Sequence, residues 1–352
     1  MLIPKICKSL LSLGVFSSFL ASAIEKDACF DRTTMPYTLQ VDSHFHFQPF
    51  GGKAILFEDM LDIFEQNGVR FVNAYGIGQP FTFDNACIHY LDCPNHPTAP
   101  SIKNDLINAH NVSTQLNTSV SVQLAMSFAN LANPESIISQ IYKLDKKHKK
   151  QFKLMGEVNL MNQALVSNSH QPATLHDISG WKTFMNLLKD RNMPIVIHSD
   201  LGNDEEYFKY LHLIEHVLNL YPDNKIVWAH LGLSYQQVTL NPKEHIAILQ
   251  RMLNQYQNLT LDMSWRIIEE YYFSKQRKAY VKFINKNSHR FISGSNFIAS
   301  DNKRKDSYQQ ELETVSTINE YLDDDAFRNI ALGQNYFELH SLPNEAPKIC
   351  SR

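Results

Sequence analysis

Eight short apolar, β-branched runs recur along the chain, separated by stretches with helical period. That alternation limits the possible folds more than any other feature. The runs span residues 39–45, 69–75, 120–126, 152–158, 194–198, 225–230, 259–263 and 290–294. The helical segments span 57–67, 134–149, 180–191, 205–221, 242–255, 268–285 and 308–321, with Pro134 and Pro242 suited to first turns. Alternating β and α elements call for parallel strands joined by crossover helices. Eight such units favour closure into a single-domain (β/α)8 barrel; an open doubly wound sheet is the alternative. Length alone would suggest two or three domains at roughly 100–200 residues each, but a barrel escapes that rule. The barrel is expected over 39–340, after an extension at 24–38 and before a tail at 341–352. A long loop at 76–101, rich in Pro, Asn, Cys and aromatic residues, follows the second run. In a barrel it lies on the C-terminal face, where an insertion serves as a lid or specificity loop.

Residues 1–23 read as a secretory signal peptide. Lys5 and Lys8 form the basic start, Leu10 to Leu20 the apolar stretch, and Ala21-Ser22-Ala23 the cleavage site. The apolar stretch falls short of the ~20 residues that span a bilayer. The expectation is a secreted or periplasmic protein with no stable membrane insertion. Cleavage would remove Cys7 and leave Cys29, Cys87, Cys93 and Cys350. Four cysteines in an oxidising compartment suggest disulfides. Of three connectivities, Cys87–Cys93 closes a small loop and Cys29–Cys350 ties the chain ends; a cysteine metal site is the alternative.

The net charge of −3 argues against a broadly basic nucleic-acid surface. The basic run at 146–150 suits a solvated helix end. The expected partner is a small-molecule substrate.

The chain has 15 histidines, and their placement matters more than their number. In Asp42-Ser43-His44-Phe45-His46, alternation of side chains sends His44 and His46 to one face, where both can reach one metal ion. His198 and His230 end the fifth and sixth runs. A lone histidine there is readily a satisfied core residue. Four at one barrel end are hard to explain by packing, because clustered buried imidazoles need partners. Glu157 ends the fourth run as a candidate ligand or orienting carboxylate. Asp262, at the seventh, is a candidate acid of the site.

The pieces Asp42-Ser43-His44-Phe45-His46, Ile197-His198, His230-Leu231-Gly232, Gly294-Ser295-Asn296-Phe297 and Gly333-Gln334-Asn335 resemble the amidohydrolase superfamily. The similar branch is that of metal-dependent hydrolases including aminocarboxymuconate semialdehyde decarboxylase and several lactonases. The resemblance runs from about residue 40 to 337 and implies a barrel with one or two divalent ions, zinc first, at its C-terminal face. It implies His44, His46 and His198 as ligands and His230 as a ligand or proton-handling residue. Where the family ends its eighth strand with a metal-binding Asp, this chain has Asn296, a poor base near neutral pH. Three readings follow. Asn296 ligates while His230, Glu157 or Asp262 handles the proton; Asp301 reaches in from the loop; or hydrolysis is lost.

Intact chemistry would be attack by activated water on an amide, ester or lactone carbonyl. His230 would move the proton or stabilise the oxyanion. Trp265 and Arg266 would hold substrate, Arg266 as a carboxylate clamp or, equally, as a surface salt-bridge partner. The alternatives are a non-oxidative decarboxylase on the same metal site and, from another class, a catalytically weakened periplasmic binding protein.

Overall fold

The computed structural model describes residues 29–35, 38–82, 87–115, 118–149, 151–304 and 306–351. The expected signal peptide lies outside them. Nine parallel strands form one curled sheet: β1 (Val41–His46), β2 (Phe71–Tyr75), β3 (Ser121–Met126), β4 (Phe152–Met161), β5 (Ile195–Ser199), β6 (Ile226–Trp228), β7 (Leu259–Asp262), β8 (Phe291–Ile292) and β9 (Phe297–Ile298). Their spatial order is β8-β7-β6-β5-β4-β3-β2-β1-β9. β8 and β9 are two halves of one eighth stave. β8 pairs with β7 through Leu261 and Phe291, and β9 pairs with β1 through Phe45 and Phe297. Between them the Ser43 N–H donates to the Ser293 carbonyl (3.0 Å) and the Asn296 N–H to the His44 carbonyl (2.8 Å). These bonds close the ring as a single-domain α/β barrel.

The eighth run, expected as one strand at 290–294, is split because Gly294 and Ser295 turn inward. The buried Asp42 carboxylate accepts from the Ser295 N–H (2.8 Å), the Ser295 hydroxyl (2.6 Å) and the Tyr308 hydroxyl (3.0 Å). Asn296 then takes a left-handed conformation, φ 53°, which Asn tolerates better than most residues.

Helices cover the outside. Phe57–Gln66 turns Phe57, Met60, Leu61 and Phe64 to the sheet, the i, i+3, i+4, i+7 stripe of a core-facing helix. Pro242–Gln255 starts as its sequence suggests, with Pro242 in the first turn and the Asn241 side chain accepting from the Lys243 N–H at 2.9 Å. The helix Lys103–Thr114 lies outside all the expected helical segments. Its buried face carries Asn104, Asp105 and Asn108, whose side chains bond the Ile77 carbonyl, the Ser127 and Phe128 N–H groups and the Tyr75 carbonyl. A helix buried through polar groups leaves no apolar period to read. Two expected helices are shorter: the helix within 205–221 is Leu211–Leu220, and a break after Phe273 divides 268–285.

The barrel interior is filled by a small cluster that includes Ala125, Leu154, Val196, Val227 and Ile292. The larger core lies between sheet and helices. On β1, Val41 and Phe45 join that outer core, so period 2 sends Asp42, His44 and His46 inward. Both expected disulfides are present, Cys87–Cys93 and Cys29–Cys350. The second is flanked by the Phe30 N–H on the Lys348 carbonyl (2.7 Å) and the Cys350 N–H on the Phe30 carbonyl (3.1 Å).

Candidate metal centre

At the C-terminal end of the barrel, four imidazoles converge on one carboxylate. Glu157 Oε1 lies 2.8 Å from His198 Nδ1 and 3.1 Å from His230 Nε2, and Oε2 lies 3.6 Å from Nε2 of both His44 and His46. The four histidines are buried, and the Glu157 side chain is 13% exposed. Simple alternation from Leu154, which faces the interior, would send Glu157 the other way. A register shift between Met155 and Val158 on β4 turns it inward.

The second nitrogen of each ring is tied behind the site. His44 Nδ1 meets Asp262 Oδ2 at 2.6 Å and His46 Nδ1 meets the Gly76 carbonyl at 3.2 Å. His198 Nε2 meets Asp200 Oδ1 at 3.0 Å, and His230 Nδ1 meets the Ser264 carbonyl at 3.2 Å. Each of these partners is an acceptor, so the outer nitrogen carries the proton and the inner one presents a lone pair. Four lone pairs and a carboxylate then face one another with no donor among them. Only protons or a cation can fill that gap. His44 Nε2 accordingly has no hydrogen-bond partner among the described residues. The residues group as two sets sharing Glu157, with His44 and His46 on one side and His198 and His230 on the other. This nitrogen-rich donor set fits a divalent transition ion.

Without metal, protons take that place. Burial works against a charge on His44 and on His198, but the Asp262 and Glu157 carboxylates raise His44 to about 10, and bonds to Asp200 and Glu157 raise His198 to about 10. Burial and the neighbouring His44 charge lower His46 to about 4, and burial lowers His230. Burial alone would raise Glu157, yet the surrounding imidazoles hold it well below the usual carboxylate range.

A cavity of about 300 Å³ opens over the site. His46, Glu157, His198, His230, Trp265, Arg266 and Asn296 all line it. The Trp265 ring stands 4.9 Å from that of His230. Arg266 is not a free clamp: Glu270 binds its guanidinium at 2.7 and 2.8 Å, with Glu311 at 3.6 Å. Asp262 lines no part of the cavity. It is fully buried behind His44, held by the Ser264 N–H and hydroxyl at 2.8 Å each. Its contact is with the ring that faces the site, not with the space a substrate would occupy. Asp301 does not reach in; it is exposed, its N–H on the Lys53 carbonyl at 3.0 Å, and borders a separate groove.

Sequence reasoning missed Asp200, Ser264 and Tyr90. Asp200 was within reach of it, two residues after His198 and just past the end of β5. Tyr90 enters from the long loop, whose course no period encodes.

No family model matches the chain, and no curated protein matches it. Solved structures do. A dihydroorotase from Campylobacter jejuni aligns over 87% of this chain and 84% of its own, at 12% identity and TM-score 0.54. An amidohydrolase from Burkholderia multivorans with bound zinc aligns over 87% and 100%, at 11% and 0.53. A 2,6-dihydroxybenzoate decarboxylase aligns over 87% and 99%, at 10% and 0.52. The chain shares their fold. Both hydrolases and a decarboxylase occur on it, so chemistry has to be argued from the site.

Proposed function

We propose that the chain is an exported metal-dependent hydrolase of the amidohydrolase type, acting on an amide, ester or lactone carbonyl of a small molecule. The observation that carries this reading is the set of four inward lone pairs around Glu157. Glu157, His44, His46 and His198 would hold the metal, which leaves His230 Nε2 free of it. Such an ion supplies Lewis acidity toward a carbonyl and toward water. The cavity volume sits at the low end for ligand pockets, which suits a compact substrate. Trp265 offers it a flat apolar wall. The pairing of Arg266 with Glu270 favours a neutral substrate over one clamped by its carboxylate. With Asn296 on the eighth stave, His230 is the group placed to move a proton. Its Nε2 faces the site, and Ser264 behind Nδ1 can share the charge when the ring is protonated.

Export is supported by the 1–23 segment and by the two disulfides, which persist in oxidising compartments. No helix among the described residues is long and apolar enough to cross a membrane.

Non-oxidative decarboxylation is the second reading. Asn296 favours it, because carbon–carbon cleavage does not need a carboxylate base for water. Metal analysis of the purified protein, followed by zinc-loaded assays on esters, lactones, amides and aromatic carboxylic acids, tests both. Bound metal with carbonyl hydrolysis supports the proposal, and carbon dioxide release supports the second reading. Folded protein that binds no metal and turns over nothing refutes both and leaves the binding-protein reading.

A further inference from the structure

The long loop after β2 returns to the cavity it was expected to border. We propose that the segment closed by the Cys87–Cys93 disulfide is a preset lid on the cavity, with Tyr90 as its substrate-facing group. His89, Tyr90 and Leu91, all between the two cysteines, line the same cavity as His46, His198 and His230.

Several contacts hold this segment in place. Tyr90 opens a short 3-10 turn, Tyr90–Asp92, and the His89 ring accepts from the Leu91 N–H at 3.3 Å. The Tyr90 ring meets Phe50 edge-on at 4.9 Å and stacks on His89 at 4.4 Å. From the loop after β4, the Asn168 side chain donates to both the Cys93 and His96 carbonyls at 2.8 Å, and its own carbonyl accepts from the Thr98 N–H at 2.8 Å. At the other end Gly51 packs so tightly that an added Cβ would sit 2.5 Å from the Cys87 carbonyl oxygen. The lid is therefore docked at both ends before any substrate arrives.

Tyr90 is 8% exposed and borders the same space as Glu157 and His230. Burial, with the Asp200 and Glu157 carboxylates nearby, pushes its phenol well above the ordinary value. It therefore stays a neutral O–H donor at every working pH. A neutral donor beside a site rich in acceptors suits the oxygen of a bound polar group. Presetting that donor by a disulfide removes ordering entropy that binding would otherwise lose.

The chain carries its own reporter. Trp181 and Trp228 are fully buried, whereas Trp265 is half-buried and lines the cavity that the lid also lines. Acrylamide quenching of tryptophan fluorescence in the full chain therefore reads access to Trp265, and it needs neither metal nor turnover. Replacing the bridge (Cys87→Ser with Cys93→Ser) is expected to raise the quenching constant about two-fold or more, as local opening becomes easier. Tyr90→Ala, which keeps the bridge, is expected to do the same, and it serves if the double variant fails to fold. Unchanged quenching in folded Tyr90→Ala overturns the lid.

A second arm rests on the hydrolase reading. In zinc-loaded protein assayed with dihydrocoumarin, Tyr90→Phe should lower kcat/KM about ten-fold, mostly through KM. A kcat/KM within two-fold of wild type overturns the role of the hydroxyl. Wild-type protein inactive on the whole ester, lactone and amide panel counts against the hydrolase reading, while the quenching result still decides the lid.

Discussion

Asp262→Asn tests whether the groups behind the histidines set their metal-binding form. The two side chains are nearly isosteric, so packing is kept. The bond lost is His44 Nδ1 to Asp262 Oδ2, 2.6 Å long with both side chains buried. Ser264 donates to Asp262 through its N–H and its hydroxyl. In the variant the Ser264 N–H keeps the amide oxygen at the Oδ1 position, and the amide NH2 takes the Oδ2 position, where it meets His44 and the Ser264 hydroxyl turns to accept from it. Two donors then face each other unless His44 shifts its proton to Nε2. That shift blocks the nitrogen needed by a metal. A buried charge-assisted hydrogen bond contributes about 1.5–3 kcal/mol. Outer partners of metal-bound histidines are commonly worth 10–100-fold in affinity, or about 1.4–2.7 kcal/mol. The two estimates overlap, and the tautomer shift points to the upper end, so zinc affinity should fall about 100-fold. Competition against a fluorescent zinc chelator measures it, with thermal unfolding of the metal-free form as the control for folding. Affinity within two-fold of wild type would refute the argument that Asp262 fixes the ring.

Other outcomes follow from the same geometry. His44 and His198 have folded-state values raised to about 10 from 6.5, so their stabilising charge is fully present below about 6.5 and lost as pH rises toward 10. Chelator-treated protein should therefore lose thermal stability across that window while zinc-loaded protein holds it; a metal-free Tm that rises with pH would contradict this. Zinc binding at pH 7 should release protons, read by calorimetry in buffers of different ionisation enthalpy, because the ion displaces them from the same two rings. Asn296→Asp should raise hydrolytic kcat by about 100-fold at neutral pH if the eighth stave lacks only its base; an unchanged rate assigns the proton to His230. Gly294→Ala would put a Cβ 2.5 Å from the His44 backbone nitrogen and 2.8 Å from Asp42 Oδ1. It should cost about 1–3 kcal/mol in denaturant titrations and weaken zinc binding together with it.

The sequence made the barrel legible because each strand needs one face for the interior and one for the helices, so apolar runs recur at every stave. His44 and His46 were legible by the same period, as was the placement of His198 and His230 at strand ends. The inward turn of Glu157 was expected from the end of the fourth run, but β4 continues to Met161, so Glu157 lies within the strand and alternation gives the opposite face; a register shift that no residue type announces supplies the turn. Strand eight looked continuous because the Asp42 hydrogen bonds that bend it come from residues about 250 positions away. The helix Lys103–Thr114 escaped notice because its buried face is polar. Asp262 read as a site acid by position, and only tertiary packing shows that it stands behind a ring rather than before a substrate.

The Cys29–Cys350 bond, 321 residues apart in sequence, makes the folded polypeptide a covalent ring with two short tails. In the chain-entropy account a loop of that length restricts the unfolded ensemble by about 6 kcal/mol. It also changes what a protease can achieve. One cut in an exposed loop opens the ring into a linear chain whose new ends lie at the cut, as in a circular permutant. No fragment is released, and every stave keeps both neighbours. Two cuts are needed before any piece can leave the barrel.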